Sequence, residues 1–291
     1  NNNNIISATT GNNDIQTGSG SDQVNLTGSG TNDVDTGNSN DTVTLGSGAD
    51  TVNMGSGNDT VDAAATLTTA DTIDGGSGTG DIIKSTIAIT DALAARLSNF
   101  EVLDIAGGAG ITHDVTNLTG LTSLKASGAL TGNMVITDLA AAADVDISAA
   151  IGNNLTINQI NAGGGGSDTL TFDFRGSTYT TSGIIADNIE TVTIEVNQSG
   201  TKTISAATFA GATNVTINAA SANLTISDLT AVNITALDLS GTTSRTVEIT
   251  SGADTFANAL AYTGGGGVDI LDLENATLSN TFSYAGGNGN D

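Results

Sequence analysis

Leu45-Gly46-Ser47-Gly48-Ala49-Asp50-Thr51-Val52-Asn53 is followed without a gap by Met54-Gly55-Ser56-Gly57-Asn58-Asp59-Thr60-Val61-Asp62, two nonapeptides in register. Working outward, the same step of nine relates Gly28, Gly37, Gly46 and Gly55, then Val34, Val43, Val52 and Val61, and the aspartates Asp41, Asp50 and Asp59. Gly18-Ser19-Gly20-Ser21-Asp22-Gln23-Val24 is an earlier copy, set off by the extra residue Leu26. Each nonapeptide joins a small-residue turn, in which Gly tolerates positive φ and close backbone packing, to a short strand. The middle residue of that strand (Val24, Val34, Val43, Val52, Val61) points inward. Two nonapeptides make one coil of a parallel β-roll, so turns on the same side belong to repeats n and n+2. Asp22, Asp41 and Asp59 then line one edge, and Asn32, Asp33 and Asp50 the other. Coils stack ~4.8 Å apart, and unpaired carboxylates at that spacing repel by about 3 kcal/mol at an effective dielectric of about 20. No Lys or Arg precedes Lys84. A hard divalent cation, held by turn carbonyls and one Asp from each neighbouring turn, meets the need, and calcium suits such flexible all-protein coordination better than magnesium.

Composition narrows the rest. Of 291 residues 38 are Gly, and 31 acidic against six basic residues leave a net charge of −25, which excludes the basic stripe of a nucleic-acid binder. There is no Cys or Trp and a single His, so thiol chemistry and His-His metal sites are excluded and aromatic-lined cofactor pockets are not expected. A 37% apolar fraction and the periodicity argue against disorder. The chain opens on Asn1 to Asn4 and stops within Gly286-Gly287-Asn288-Gly289-Asn290-Asp291, the start of another turn, and so reads as a piece of a longer protein. It has no signal peptide and no run of about 20 apolar residues, so no membrane insertion is expected in this region.

The repeats resemble the RTX family of calcium-binding nonapeptides, G-G-x-G-x-D-x-U-x with U apolar. Residues placed at the metal on this reading are Asp14, Gly18, Gly20, Asp22, Gly28, Asn32, Asp33, Gly37, Asp41, Gly46, Gly48, Asp50, Gly55, Gly57 and Asp59. Departures from the pattern are Thr27, Thr36, Leu45 and Met54 at the first turn position, Asn32 in place of Asp, and a shortened Gly11-Asn12-Asn13-Asp14-Ile15.

After Val61 the turn recurs singly. Gly75-Gly76-Ser77-Gly78-Thr79-Gly80-Asp81 adds Gly76, Gly78 and Asp81 to the metal candidates; Gly163-Gly164-Gly165-Gly166-Ser167-Asp168 adds Gly164, Gly166 and Asp168; Gly264-Gly265-Gly266-Gly267-Val268-Asp269 adds Gly265, Gly267 and Asp269; the final turn adds Gly287, Gly289 and Asp291. Matching phrases, Asn99-Phe100-Glu101-Val102-Leu103-Asp104-Ile105 and Asn188-Ile189-Glu190-Thr191-Val192-Thr193-Ile194, follow the first two. These marks divide the chain into a calcium-binding roll at 1–86, solenoid modules at 87–162 and 163–263, and the start of a further module at 264–291. Steps near ten residues (Val135, Val145, Leu155; Val215, Leu224, Ile234) predict further stacked strands. A short helix is expected over Asp91 to Ser98, N-capped by Thr90 or Asp91, and a second near Ser205 to Phe209. The fold class is all-β, a parallel β-roll or β-solenoid with few short helices.

No G-x-S-x-G, H-E-x-x-H or G-x-x-x-x-G-K-[ST] occurs. His113 and Asp114 are adjacent on a strand and point to opposite faces, as do Glu190 and Glu195, so neither pair suits catalysis and His113 is expected at the surface. No enzyme is expected. Taken along its length the chain resembles RTX-type bacterial S-layer proteins of the Caulobacter type. That resemblance implies type I secretion, an extracellular cell-surface location, and a calcium-dependent lattice or filament of the chain with itself, with cell-surface polysaccharide as a further partner. A repetitive RTX adhesin, and the calcium-binding part of a secreted hydrolase or toxin, are the other readings left open.

Overall fold

A computed structural model describes residues 2–108, 110–140, 143–160 and 167–290. The Val-centred triplets form strands Gln23–Leu26, Asn32–Asp35, Thr42–Thr44, Thr51–Asn53 and Thr60–Ala64. Their central valines are each 1% exposed or less, and each contributes ~1.5–3 kcal/mol of burial. Pairing skips the neighbour in sequence: Val24 lies beside Val43 and Val43 beside Val61, while Val34 lies beside Val52, all in parallel. The n/n+2 register is therefore the one built, and the fold is a parallel β-solenoid with almost no helix.

The chain forms two compact units, Asn1–Lys125 and Ala126–Asp291. In the first, one sheet carries the inward column Val24, Val43, Val61, Ile83 and Leu103, and the facing sheet carries Ile15, Val34, Val52, Ile73 and Leu97. In the second, longer strands such as Asn154–Gln159, Thr169–Phe174 and Lys202–Thr208 stack in the same parallel manner. Its core admits Phe172 and Phe209, stacked 6.2 Å apart. No helix among the described residues is long and apolar enough to cross a membrane.

Four local expectations change. The helix spans only Asp91–Ala94, capped by Thr90, whose hydroxyl accepts from the Leu93 N–H at 3.4 Å. Leu97–Ser98 leaves it to pair with Ile73–Asp74, because Leu97 completes an apolar column there. Ser205 to Phe209 forms no helix; Lys202–Thr208 is a strand paired with Tyr179–Ala186. Val135 faces outward, since Met134 and Ile136 take the buried positions of strand Met134–Leu139.

His113 is wholly buried, not at the surface, and its Nδ1 accepts the Ile89 N–H at 3.2 Å. Burial disfavours the imidazolium and pulls its pKa down to about 4 from 6.5. A folded value below the unfolded one means that the stability is present above pH 6.5 and is lost as the pH falls toward 4; its size is about 3 kcal/mol. As the chain has one His, its ring-proton NMR signal reports this directly: no titration between pH 7 and 5 is expected, and an ordinary midpoint would contradict the burial.

On one edge the turns stack glycine on glycine. Gly55 has φ +85, and a Cβ there would lie 2.0 Å from the Gly37 carbonyl oxygen. Gly55→Ala is therefore expected to cost about 2 kcal/mol or more through αL strain and collision, read as a lower denaturant midpoint; an unchanged midpoint would show the column to be compliant.

Candidate metal centre

The turn that closes each coil on that edge ends in a buried aspartate. Asp22, Asp41, Asp59 and Asp81 are 3%, 2%, 0% and 0% exposed. They form a ladder in which each main-chain N–H donates to Oδ1 of the aspartate one coil later: Asp22 to Asp41, Asp41 to Asp59 and Asp59 to Asp81, each at 2.7 Å. The Asn4 N–H starts the column on Asp22 Oδ1 at 2.6 Å, and the Asp81 N–H ends it on Glu101 Oε2 at 2.9 Å. Oδ2 of all four aspartates is buried and has no hydrogen-bond partner. An ionised oxygen kept from water in this way costs several kcal/mol unless a cation or proton meets it, on the order of the penalty for an unpaired buried ion. Burial first, then neighbouring charge, pushes the Asp41, Asp59 and Asp81 carboxyls up, Asp59 to about 6.

The opposite edge supplies the control. There the ladder runs Asn13, Asn32, Asp50, Asp71: Asn13 Nδ2 donates to Asn32 Oδ1 at 2.7 Å, the Asn32 N–H to Asp50 Oδ1 at 3.2 Å, and the Asp50 N–H to Asp71 Oδ1 at 2.8 Å. Where Asn occupies the position, its amide also donates into its own turn, Asn13 to the Gly11 carbonyl and Asn32 to the Gly30 carbonyl, both at 3.1 Å. An aspartate in that place has no amide hydrogen to give to such a carbonyl. Asp71 is satisfied, since its Oδ2 accepts from the Thr68 N–H at 2.7 Å and the Thr68 hydroxyl at 3.2 Å. Asp50 Oδ2 is buried and unpartnered.

Asp14 and Asp33 do not line this edge. Both are exposed, because their strands start at Asn13 and Asn32 and the next residue alternates outward. Gly18, Gly37, Gly55 and Gly76 share positive φ, as do Gly20 and Gly57. Gly28, Gly46, Gly48 and Gly78 lie against carbonyls of the preceding coil at distances no Cβ tolerates. Asp168 repeats the Asp81 arrangement: its N–H donates to Glu190 Oε2 at 3.0 Å and its Oδ2 is buried without a partner. Gly164, Gly166 and Asp291 lie outside the described residues. Asp269 differs, with Oδ2 accepting the Gly265 N–H of its own turn at 2.5 Å. Gly265 and Gly267 pack on the carbonyls of Leu239 and Arg245, Gly287 has φ +76, and Gly289 sits in the last turn.

Five participants escaped sequence reasoning: Asn4, Asn13, Asp71, Glu101 and Glu190. Asp71-Thr72-Ile73 repeats the Asp-Thr-Val phrase of 41–43, 50–52 and 59–61, and the matched phrases at 99 and 188 were the sign of Glu101 and Glu190. In those phrases Asn99 and Asn188 adopt φ +56 and +58, which positions the glutamates as caps.

Among the described residues no basic side chain of the first unit pairs with the unclaimed oxygens of Asp22, Asp41, Asp50, Asp59 or Asp81. Lys84 pairs with Asp62 at 3.2 Å and Lys125 with Asp104 at 3.8 Å, while Arg96 Nε donates to the Asp71 carbonyl at 2.8 Å. Among the described residues no group of three or more His, Cys, Asp or Glu converges on one point, so an ion at the ladder would draw on main-chain oxygens for much of its shell. No family model, curated protein or solved structure matches the chain.

Proposed function

We propose that the chain is a calcium-dependent structural protein of the cell surface, secreted and packed with its own copies into a lattice or filament. The observation that carries the calcium reading is the column of four buried aspartates, each with one oxygen unclaimed. Asp22, Asp41, Asp59 and Asp81, with Asp50 and Asp168, would hold the ions together with carbonyls of their turns. All donors are hard oxygens, the set calcium prefers, and bound calcium would supply charge neutralisation rather than chemistry. Assembly is supported by the net charge of −25, which keeps copies apart until an ion removes part of it, and by the resemblance in repeat pattern.

The test is a calcium titration of the full chain followed by light scattering and electron microscopy. Ordered assemblies are expected at millimolar calcium and not in sodium chloride of the same ionic strength, since sodium screens over about 8 Å but does not replace coordination. A chain that stays monomeric throughout, or assembles equally in sodium, would overturn the assembly reading.

A further inference from the structure

Lys202 opens the strand Lys202–Thr208, beside Tyr179 of the previous coil and Leu224 of the next. The following coils fill this inward column with Leu224 and Val247, yet Lys202 is itself 0% exposed. Its Nζ donates to the carbonyl oxygens of Gly200 at 2.8 Å, Gly176 at 2.9 Å, Ser177 at 3.0 Å and Ser199 at 3.4 Å. It also lies 5.1 Å from the centre of the Tyr179 ring, which is anchored by its hydroxyl donating to the Ile147 carbonyl at 2.5 Å. Two turns one coil apart thus aim four main-chain oxygens and one aromatic face at a single point. Gly176 and Gly200, at φ +87 and +98, give the turns that curvature. Every hydrogen bond of this ammonium goes to a neutral carbonyl. Burial by itself pulls the lysine pKa down, while the carbonyls and the ring face favour the charged form.

A shell of oxygens 2.8 to 3.4 Å from one centre suits an ammonium or a dehydrated potassium ion, and is too wide for the short bonds of a small divalent ion, about 2.0–2.6 Å. We propose that the carbonyls of Gly176, Ser177, Ser199 and Gly200 form a monovalent-cation site in which the Lys202 ammonium is the resident, tethered ion. Shortening the tether then opens the site to a free cation of the same class. This inference does not rest on calcium binding elsewhere in the chain.

The chain's three Tyr are Tyr179, Tyr262 and Tyr284 and it has no Trp, so near-ultraviolet tyrosine dichroism follows the second unit alone. In the full chain, Lys202→Ala in sodium chloride is expected to lower the melting temperature of that signal by about 10 °C, the scale for stranding a buried polar cluster. n-Propylammonium chloride, which returns the excised atoms as a free ion, and potassium chloride are each expected to restore most of the loss at matched ionic strength. Should Lys202→Ala be unfolded in sodium chloride, the same two salts are expected to refold it. Lys202→Met fills the space without charge and is expected to be destabilised and not rescued. If neither salt improves on sodium, or if Lys202→Met melts with the wild type, the four carbonyls are not a cation site.

Discussion

Excess chelator is expected to collapse amide-exchange protection across the coils that carry the ladder, from Asn13 to Asp81, with loss of β signal in far-ultraviolet dichroism. Four buried carboxylates, each with one unpartnered oxygen, are then left stacked one coil apart. Each ion bound to the native state alone contributes about 4 kcal/mol at a thousand times its dissociation constant, and that contribution vanishes together at every rung. Exchange read by mass spectrometry locates the effect. If the spectrum, the melting temperature and the protection of these coils are all unchanged by chelator, the calcium reading fails even though the solenoid stands.

Asp59 separates charge from hydrogen bonding. Asp59→Asn keeps an oxygen to accept the Asp41 N–H and replaces the unclaimed oxygen by an amide donor, as Asn32 already does when it donates to the Gly30 carbonyl. Without calcium this variant is expected to exceed the wild type in stability by about 1–2 kcal/mol, because one buried like charge is gone. With calcium the order reverses, since the variant loses a ligand. Asp59→Ala removes the same charge but also strands the Asp41 N–H, and is expected to fall about 1–3 kcal/mol below Asp59→Asn in either condition. Denaturant midpoints with and without calcium measure all three. An Asp59→Asn variant weakened equally in both conditions would mean that the carboxylate serves as a hydrogen-bond acceptor only.

The coil was legible in the sequence because its two physical demands are sharp: an inward apolar residue every nine and a glycine wherever backbone meets backbone. Which of two adjacent acids faces the turn was not, since Asn32 and Asp33 differ only by one step of strand alternation. Asp71 and Glu101 were hidden for another reason. A coil lengthens from 18 residues between Asp41 and Asp59 to 22 between Asp59 and Asp81 and still returns its carboxylate to the same column, so spacing along the chain stops reporting position in space. Leu97 was placed on a helix and His113 at the surface because partners distant in sequence decide the pairing of the one and the burial of the other. Nothing in the sequence marks Lys202, since only the meeting of two turns gives it a role.

The aspartate ladder also has a direction. Every rung donates from its main chain toward the C-terminus and accepts on its side chain from the N-terminal side, without exception from Asn4 to Glu101. Damage to a rung is therefore felt asymmetrically. Loss of the Asp59 carboxylate removes the acceptor of the coil before it, while the Asp59 N–H keeps Asp81 and the coil after it is untouched. The terminal acceptor, Glu101, takes the Asp81 N–H, and at the other end Asn4 gives both its main-chain N–H and its side-chain amide to Asp22 Oδ1. Each rung's N–H finds its acceptor only on the coil that follows, so a chain extended one coil at a time from its N-terminus would complete each rung only when the next coil arrives.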